Sequence, residues 1–219
     1  MTRRIAQLLS VTVLLVAFSV PLVAQQAPIE LLRYLALEGD ALAQYYLGSI
    51  YNKGEDVPQD AAEAERWWRL AAEQGHDGAQ ASLGVMYFEG QGVPQDAAEG
   101  ERWYRLAADQ GHHGAQFNLG SIYFLGRGVP QDAAEGERWY RLAADQGDAQ
   151  AQSRLGGMYG NGRGVPQDDA EAVRWYRLAA DQGHDGAQFN LGAMYFAGEG
   201  VPQDLDSAPK VAGQIRETR

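Results

Sequence analysis

Apolar residues recur at helical spacing along the chain from residue 40 onward. In the segment GAQFNLGSIYF at Gly114 to Phe124, the residues Ala115, Leu119 and Tyr123 are four positions apart. Residues at this spacing lie on one side of a helix, so the segment predicts an amphipathic α-helix. A turn that contains Gly126 and Gly128 follows it.

A second helix is predicted immediately after that turn. Asp132 is followed three residues later by Glu135, which is the spacing of a capping box with aspartate in place of serine or threonine. The helix runs through Trp139 to Gly147, and the missing Cβ of this glycine suits the left-handed residue that ends many helices. The pattern is therefore helix, turn, helix, turn.

This pair of helices is repeated with a period of 36 residues. The unit occurs five times, at residues 40–75, 76–111, 112–147, 148–183 and 184–219, and the segment VPQDAAEGERWYRLAADQG is identical at Val93 to Gly111 and Val129 to Gly147. A period of this length indicates a solenoid in which each unit buries its apolar stripe against its neighbours. The tryptophans at one repeat position are expected to pack in that core rather than form a carbohydrate platform: Trp67, Trp103, Trp139 and Trp175.

The repeated residues A-x-x-x-LG-x-x-Y-x-x-G-x-GVPQD-A-x-x-x-RWYRLAA-x-QG resemble the Sel1-like repeat, a relative of the tetratricopeptide repeat. The match extends from Asp40 to about Asp204. The resemblance implies an all-α fold, a right-handed α-solenoid of helix-turn-helix repeats. Residues 25–39 are expected to form an N-terminal capping half-repeat. The fifth unit departs from the pattern after Asp204, where tryptophan is missing and Pro209 is present, so residues 205–219 are expected to be a C-terminal cap or tail.

The N-terminus has the layout of a secretory signal. Arg3 and Arg4 precede an apolar stretch from Ile5 to Val20, and the small residue Ala24 follows. We expect residues 1–24 to be a signal peptide. The mature protein is then exported, with the periplasm as the expected location and secretion as the alternative.

Charge narrows the class of partner. Residues 1–24 contain two of the 18 basic residues and none of the 29 acidic ones, so the mature chain has 16 basic and 29 acidic residues and a net charge of −13. Nucleic acid is excluded as a partner on this ground, and no membrane binding is expected after cleavage. The chain has no cysteine, so its stability does not depend on disulfides. We expect a monomer.

Comparison of the five units separates constant from varying positions on the first helix, and helical projection places the two sets on opposite sides. Constant positions suit packing, whereas varying positions suit recognition. The resemblance to tetratricopeptide-like proteins implies that the first helices line a concave groove, which would bind a peptide or protein partner. The predicted groove residues are Tyr45, Ser49, Asn52, Val85, Phe88, Phe117, Asn118, Ser121, Phe124, Arg154, Phe189 and Phe196. The alternative is that the aromatic rings pack between neighbouring first helices.

Histidines and charge pairs offer other candidate sites. His76, His112 and His184 occupy one repeat position, but copies one unit apart are too distant to share a metal ion, so we expect turn residues or N-caps and no metal site. Glu101 and Arg105, with their copies, have the four-residue spacing of a solvated helix-surface pair.

No motif for catalysis or for a cofactor is found. The chain lacks a Gly-x-Ser-x-Gly elbow, a His-Glu-x-x-His motif, a phosphate loop and a cysteine nucleophile. The sequence therefore favours a non-catalytic interaction scaffold without cofactor. Two alternatives stay open: a cell-wall-related enzyme like the Sel1-like proteins that act on β-lactams, which carry paired cysteines that this chain lacks, and a purely structural spacer.

Overall fold

The computed structural model describes residues 22–204, and these residues form ten α-helices and no β-strand. The helices are α1 Leu22–Leu37, α2 Ala41–Lys53, α3 Ala61–Glu73, α4 Asp77–Glu89, α5 Ala97–Asp109, α6 His113–Leu125, α7 Ala133–Asp145, α8 Ala149–Asn161, α9 Asp169–Asp181 and α10 Asp185–Ala197. The predicted signal peptide lies outside the described residues except for residues 22–24, and the predicted tail at 205–219 lies wholly outside them. Within the described part of the chain, no helix is both long and apolar enough to cross a membrane.

The chain divides into two compact units, Met1–Ala79 and Gln80–Arg219, and the division falls within α4. In the first unit α2 packs against α1 and α3. In the second unit the helices from α5 to α10 pack in order, each against the next one. Within each unit, consecutive helices thus cover one another, as an all-α repeat fold requires.

Side-chain caps begin the helices. The carboxylate of Asp132 accepts a hydrogen bond from the Glu135 backbone N–H at 2.9 Å, which starts α7. Among the first helices of the repeats, α6 is capped by His112, whose Nδ1 accepts from the Ala115 N–H at 3.1 Å. His76 and His184 make the same bond to Ala79 and Ala187. The prediction of N-caps for these three histidines is confirmed.

The helix ends follow the repeated glycines. Gly147 has a φ of +94°, a conformation that is strained for residues with a Cβ. Its N–H donates to the Ala144 carbonyl at 2.9 Å, and the Asp148 N–H donates to the Ala143 carbonyl at 3.1 Å. This pair of bonds is the Schellman pattern and satisfies the last carbonyls of α7.

Constant glycines allow the two helices of one repeat to approach closely. A Cβ added to Gly120 on α6 would lie 2.6 Å from Cδ1 of Tyr140 on α7. The neighbouring Trp139 is only 2% exposed and belongs to the core, as the sequence predicted for the tryptophan series. The core of the second unit is therefore built from small residues on one helix against large rings on the next.

A buried glutamine ladder connects successive helices. Gln116 is buried, its Nε2 donates to the Ala108 carbonyl at 3.1 Å, and its Oε1 accepts from Gln146 Nε2 at 2.7 Å. Gln152 repeats both bonds with Ala144 and Gln182. Because the Gln116 and Gln152 amides are each paired through both oxygen and nitrogen, these bonds satisfy buried polar atoms while they fix helix register.

The Glu101 and Arg105 pair is not the solvated surface pair that its spacing predicted. The Glu101 side chain is 17% exposed, and its Oε1 accepts from Arg105 Nη2 at 2.6 Å and from the Tyr123 hydroxyl at 2.7 Å. Tyr123 lies on α6, so the network links the second helix of one repeat to the first helix of the next. The difference arises because tyrosine at a constant position of the adjacent repeat covers the carboxylate, which the spacing within one helix does not show.

Candidate functional site

Three of the predicted groove residues lie in the first unit. The Tyr45 ring stacks on His76 with ring centroids 4.6 Å apart. The Ser49 hydroxyl donates to the Tyr45 carbonyl at 3.0 Å, and the same carbonyl accepts from Trp68 Nε1 at 3.1 Å. Asn52 is half-buried on α2. Tyr45 and Ser49 are thus engaged in contacts within this unit.

Val85 and Phe88 lie in the core of the second unit rather than on an open surface. Phe88 is 4% exposed and shares a core cluster with Tyr104, while half-buried Val85 packs against that cluster. The Arg127 guanidinium lies over the Phe88 ring, 5.0 Å from its centroid. The physical reason is Gly100 on α5, where an added Cβ would lie 2.7 Å from the Phe88 backbone nitrogen, so the two helices approach closely here.

Phe117 and Phe124 are half-buried and contact the same ring. Their centroids lie 5.6 and 6.3 Å from that of Tyr140, which is 1% exposed. The Ser121 hydroxyl is 2.9 Å from the Tyr140 hydroxyl. Asn118 is half-buried on α6. The two phenylalanines and Tyr140 form an aromatic floor.

A pocket of about 500 Å³ opens over this floor. Its lining residues come from α6 to α10 and from the turns between them. They are Phe117, Phe124, Tyr140, Gln150, Ser153, Arg154, Gly157, Met158, Asn161, Arg163, Tyr176, His184 and Asn190. Its volume is in the range of small-molecule and side-chain binding pockets.

Comparison of the repeats explains why the pocket lies at the fourth one. Ser153 occupies the repeat position of Phe117 and Phe189, and Gly160 occupies that of Phe124 and Phe196. Where the third and fifth repeats project a ring from the first helix, α8 therefore has no bulky side chain. The missing rings leave space above the aromatic floor supplied by α6 and α7.

Burial sets the protonation of the two tyrosines in the pocket. Burial raises the pKa of Tyr140, against smaller lowering effects of the Ser121 hydrogen bond and the Arg154 charge. Burial also raises the pKa of Tyr176, and its hydrogen bond with Asn190 opposes this. Both phenols therefore stay neutral at neutral pH and can donate hydrogen bonds.

Arginines supply the charge of the pocket. Arg154 lies on α8, and Arg163 follows in the next turn with its guanidinium 4.7 Å from the Phe124 ring centroid. His184 uses Nδ1 to accept from the Ala187 N–H, so its neutral ring carries the proton on Nε2. None of the lining residues is acidic.

Phe189 and Phe196 lie apart from the lining of the pocket. They are 65% and 64% exposed on α10. The part of the sequence that would supply the second helix of their repeat, 205–219, is outside the described residues. Of the predicted groove residues, the structure therefore brings Phe117, Phe124 and Arg154 together at the pocket.

No group of three or more histidine and acidic side chains that could hold a metal ion is present within residues 22–204.

A family model of the Sel1 repeat matches residues 41–76, 78–112, 113–148, 149–184 and 186–208, which is most of the chain. The chain belongs to the Sel1 repeat family. Sel1 repeat proteins are typically non-catalytic helical scaffolds and generally bind protein partners.

Solved structures of other Sel1 repeat proteins are similar to the chain. The crystal structure of c5321, a protective antigen present in uropathogenic Escherichia coli strains that displays an SLR fold, is 42% identical with a TM-score of 0.85 over 87% of this chain. The chain spans only 41% of that protein. A Sel1 repeat protein from Oxalobacter formigenes is 36% identical with a TM-score of 0.76, covering 81% of this chain and 70% of its own. Among curated proteins, no match was found.

Sequence reasoning missed most of the pocket lining in this Sel1 repeat protein, including Tyr140, Tyr176 and Arg163. Tyr140 and Tyr176 lie on second helices, at a position that is aromatic in the first four repeats and that was assigned to no site. A signal for them is present, because a constant glycine on the first helix requires a large partner opposite it. Arg163 was missed because it lies in a turn rather than on the varying side of a helix.

Proposed function

We propose that this chain is a non-catalytic scaffold that binds a peptide segment of a protein partner at the pocket of the fourth repeat. One observation carries the proposal: an aromatic floor and two arginines converge on a space of about 500 Å³. Aromatic and arginine side chains dominate the energetics of protein recognition sites. The proposal narrows the predicted groove to Phe117, Phe124 and Arg154 with their new neighbours.

The contrast between the pocket and its repeated equivalents supports recognition rather than packing. Ser153 and Gly160 remove rings at positions where the flanking repeats have phenylalanine. A core of close-packed rings is stabilised by filling such space, and an unfilled space costs stability. An occupant supplied by a partner would restore the missing contacts.

We further propose that the chain acts outside the cytoplasm, in the periplasm or in secreted form. The support is the sequence of residues 1–24, with Arg3 and Arg4 before an apolar stretch and Ala24 at its end. The mass of the exported protein should then correspond to a chain that begins at Gln25. A retained Met1 in the mature protein would contradict this localisation.

Site-specific photocrosslinking tests the binding proposal. A benzoylphenylalanine at Gln150, an exposed residue that lines the pocket, should crosslink a partner in cells that carry the gene. The matched control is the same photoreactive residue at Ala134, which is exposed on α7 and does not line the pocket. Mass spectrometry identifies the crosslinked protein, and the purified pair is then used for binding measurements.

Ser153→Phe provides the matched test of the pocket itself. Phenylalanine is the residue of the third and fifth repeats at this position, so the substitution fills the pocket without creating a cavity. The variant should retain the circular dichroism spectrum of the helices and should lose capture of the partner. If Gln150 crosslinks no protein above the Ala134 control, or if Ser153→Phe binds the purified partner unchanged, the pocket is not the binding site.

A further inference from the structure

The lining of the pocket of the fourth repeat is positively charged, whereas the whole chain has a negative net charge. The chain has 29 acidic and 18 basic residues and a net charge of −11. The pocket lining contains Arg154 and Arg163 and no aspartate or glutamate. A local excess of positive charge in an acidic protein marks a site for a negatively charged group.

The two arginines also differ from most others of the chain. Arg138, for example, donates from Nη2 to Glu135 Oε1 at 2.7 Å. Ten other arginines lie within residues 22–204. Arg177 donates to a tyrosine hydroxyl, and the remaining nine each have a carboxylate partner. Arg154 and Arg163 have none in that part of the chain.

The repeats show how Arg163 lost its partner. Its equivalent one repeat earlier, Arg127, donates to Glu89 at 3.2 Å. The residue that corresponds to Glu89 one repeat later is Leu125. The arginine is therefore retained at the pocket while its carboxylate is replaced, and its guanidinium keeps the contact with the Phe124 ring.

Arg154 is specific to the fourth repeat. Its equivalents in the third and fifth repeats are Asn118 and Asn190, and in the second repeat Ser82. An arginine at this position adds a guanidinium with five donors next to the space that Ser153 leaves open. Arg163 without its carboxylate and the repeat-specific Arg154 thus both lie at the repeat where the ring of the first helix is also missing.

Resting on the proposed function, we propose that the pocket binds an acidic peptide segment, whose carboxylates pair with Arg154 and Arg163 while an adjacent apolar or aromatic side chain contacts Phe117, Phe124 and Tyr140. Guanidinium groups match carboxylates in bidentate geometry, which gives both affinity and orientation. The His184 ring and the Asn190 amide, which also line the pocket, add donors for a peptide backbone.

Three peptides of equal length test the inference. We would measure the fluorescence anisotropy of labelled GEEWEEG, GQQWQQG and GKKWKKG, acetylated and amidated at their ends, with the purified full chain. The acidic peptide should bind at least about tenfold more tightly than the neutral one, and its affinity should weaken with added salt. The basic peptide is favoured by the net charge of the chain, so tighter binding of that peptide would overturn the inference.

The double variant Arg154→Gln and Arg163→Gln assigns the effect to the pocket. Both side chains are exposed, so the fold should be unchanged by circular dichroism. Affinity for the acidic peptide should fall about tenfold or more, while the double variant Arg127→Gln and Arg177→Gln, which removes two positive charges outside the lining, should change it less than about twofold. Equal losses in both variants would show a general charge effect and overturn the inference.

Two further outcomes separate this inference from the proposed function. If Gln150 crosslinks a protein whose capture is lost in Ser153→Phe but retained in the double variant of Arg154 and Arg163, the binding function stands and the acidic occupant is refuted. If no peptide binds and the chain instead self-associates in an arginine-dependent manner by sedimentation, the occupant is a second copy and the inference is likewise refuted.

Discussion

Replacement of Gly120 by alanine tests the close helix packing on which the repeat depends. Gly120 lies on α6 opposite Tyr140 on α7. A Cβ at this position would lie 2.6 Å from Cδ1 of Tyr140 and 2.8 Å from both Cε1 and Cγ. These distances are well below van der Waals contact, so the ring or the helix must move.

The ring has little freedom to move because it is 1% exposed and contacts Phe117 and Phe124. Overpacking of a closely packed core costs about 1–3 kcal/mol. Alanine also stabilises a helix interior relative to glycine by about 0.8–1.0 kcal/mol. The opposing effects leave an expected net destabilisation of about 0–2 kcal/mol.

Gly160→Ala is the matched control on the first helix of the next repeat. An added Cβ there meets only the Cβ of Ala172 at 3.5 Å, an ordinary contact. The control should therefore stabilise the chain by about 0.5–1 kcal/mol, because only the propensity difference remains. Urea unfolding followed by circular dichroism measures both variants, and the midpoint should be lower for Gly120→Ala than for Gly160→Ala.

A double-mutant cycle identifies the cause. In a Tyr140→Leu background the ring is absent, so the same Gly120→Ala substitution should cost less than it does in the wild type. The reasoning is refuted if Gly120→Ala is as stable as Gly160→Ala, or if its cost is unchanged when Tyr140 is replaced.

Two other predictions follow from Trp139 and its neighbour Glu135. Trp139→Ala should lower the free energy of unfolding in urea by about 3–5 kcal/mol, because it empties a core position that is 2% exposed. The substitution also removes the hydrogen bond from Nε1 to Glu135 Oε1 at 2.8 Å. An unchanged midpoint would place the ring outside the core. The Arg138 hydrogen bond, with help from that of Trp139, lowers the pKa of Glu135 below its ordinary value. The resulting stability is present above the unfolded pKa of about 4.3 and is lost as the pH falls through the lower folded pKa, so Glu135→Gln should reduce the loss of stability measured below about pH 4.3.

The candidate site was only partly predictable. The varying positions of the first helix identified Phe117, Phe124 and Arg154, because recognition surfaces differ between copies of a repeat. Phe88 shares that variability, yet it is 4% exposed, since Gly100 allows α5 to cover it. Burial by a neighbouring helix depends on which side chains oppose each other across helices, and periodicity within one helix does not contain that information.

The network of Glu101, Arg105 and Tyr123 shows the same limit. The four-residue spacing correctly paired the first two residues, whose side chains meet at 2.6 Å. It predicted a solvated pair, because it could not show that Tyr123 of the next repeat donates to the same carboxylate. The sequence therefore identified the partner of Glu101 within its helix, but only the contact with the next repeat showed that the pair is partly buried.

The sequence by itself determined the number and order of the repeats, the helical type of each segment and the residues that begin and end them. These features depend on local spacing, on aspartate and histidine caps and on glycines that adopt positive φ. The tertiary structure alone decided that Tyr140 and Arg163 meet Phe124 around an open space. That arrangement depends on side chains that are missing at Ser153 and Gly160, and a missing side chain forms a pocket only when the helices around it are in place.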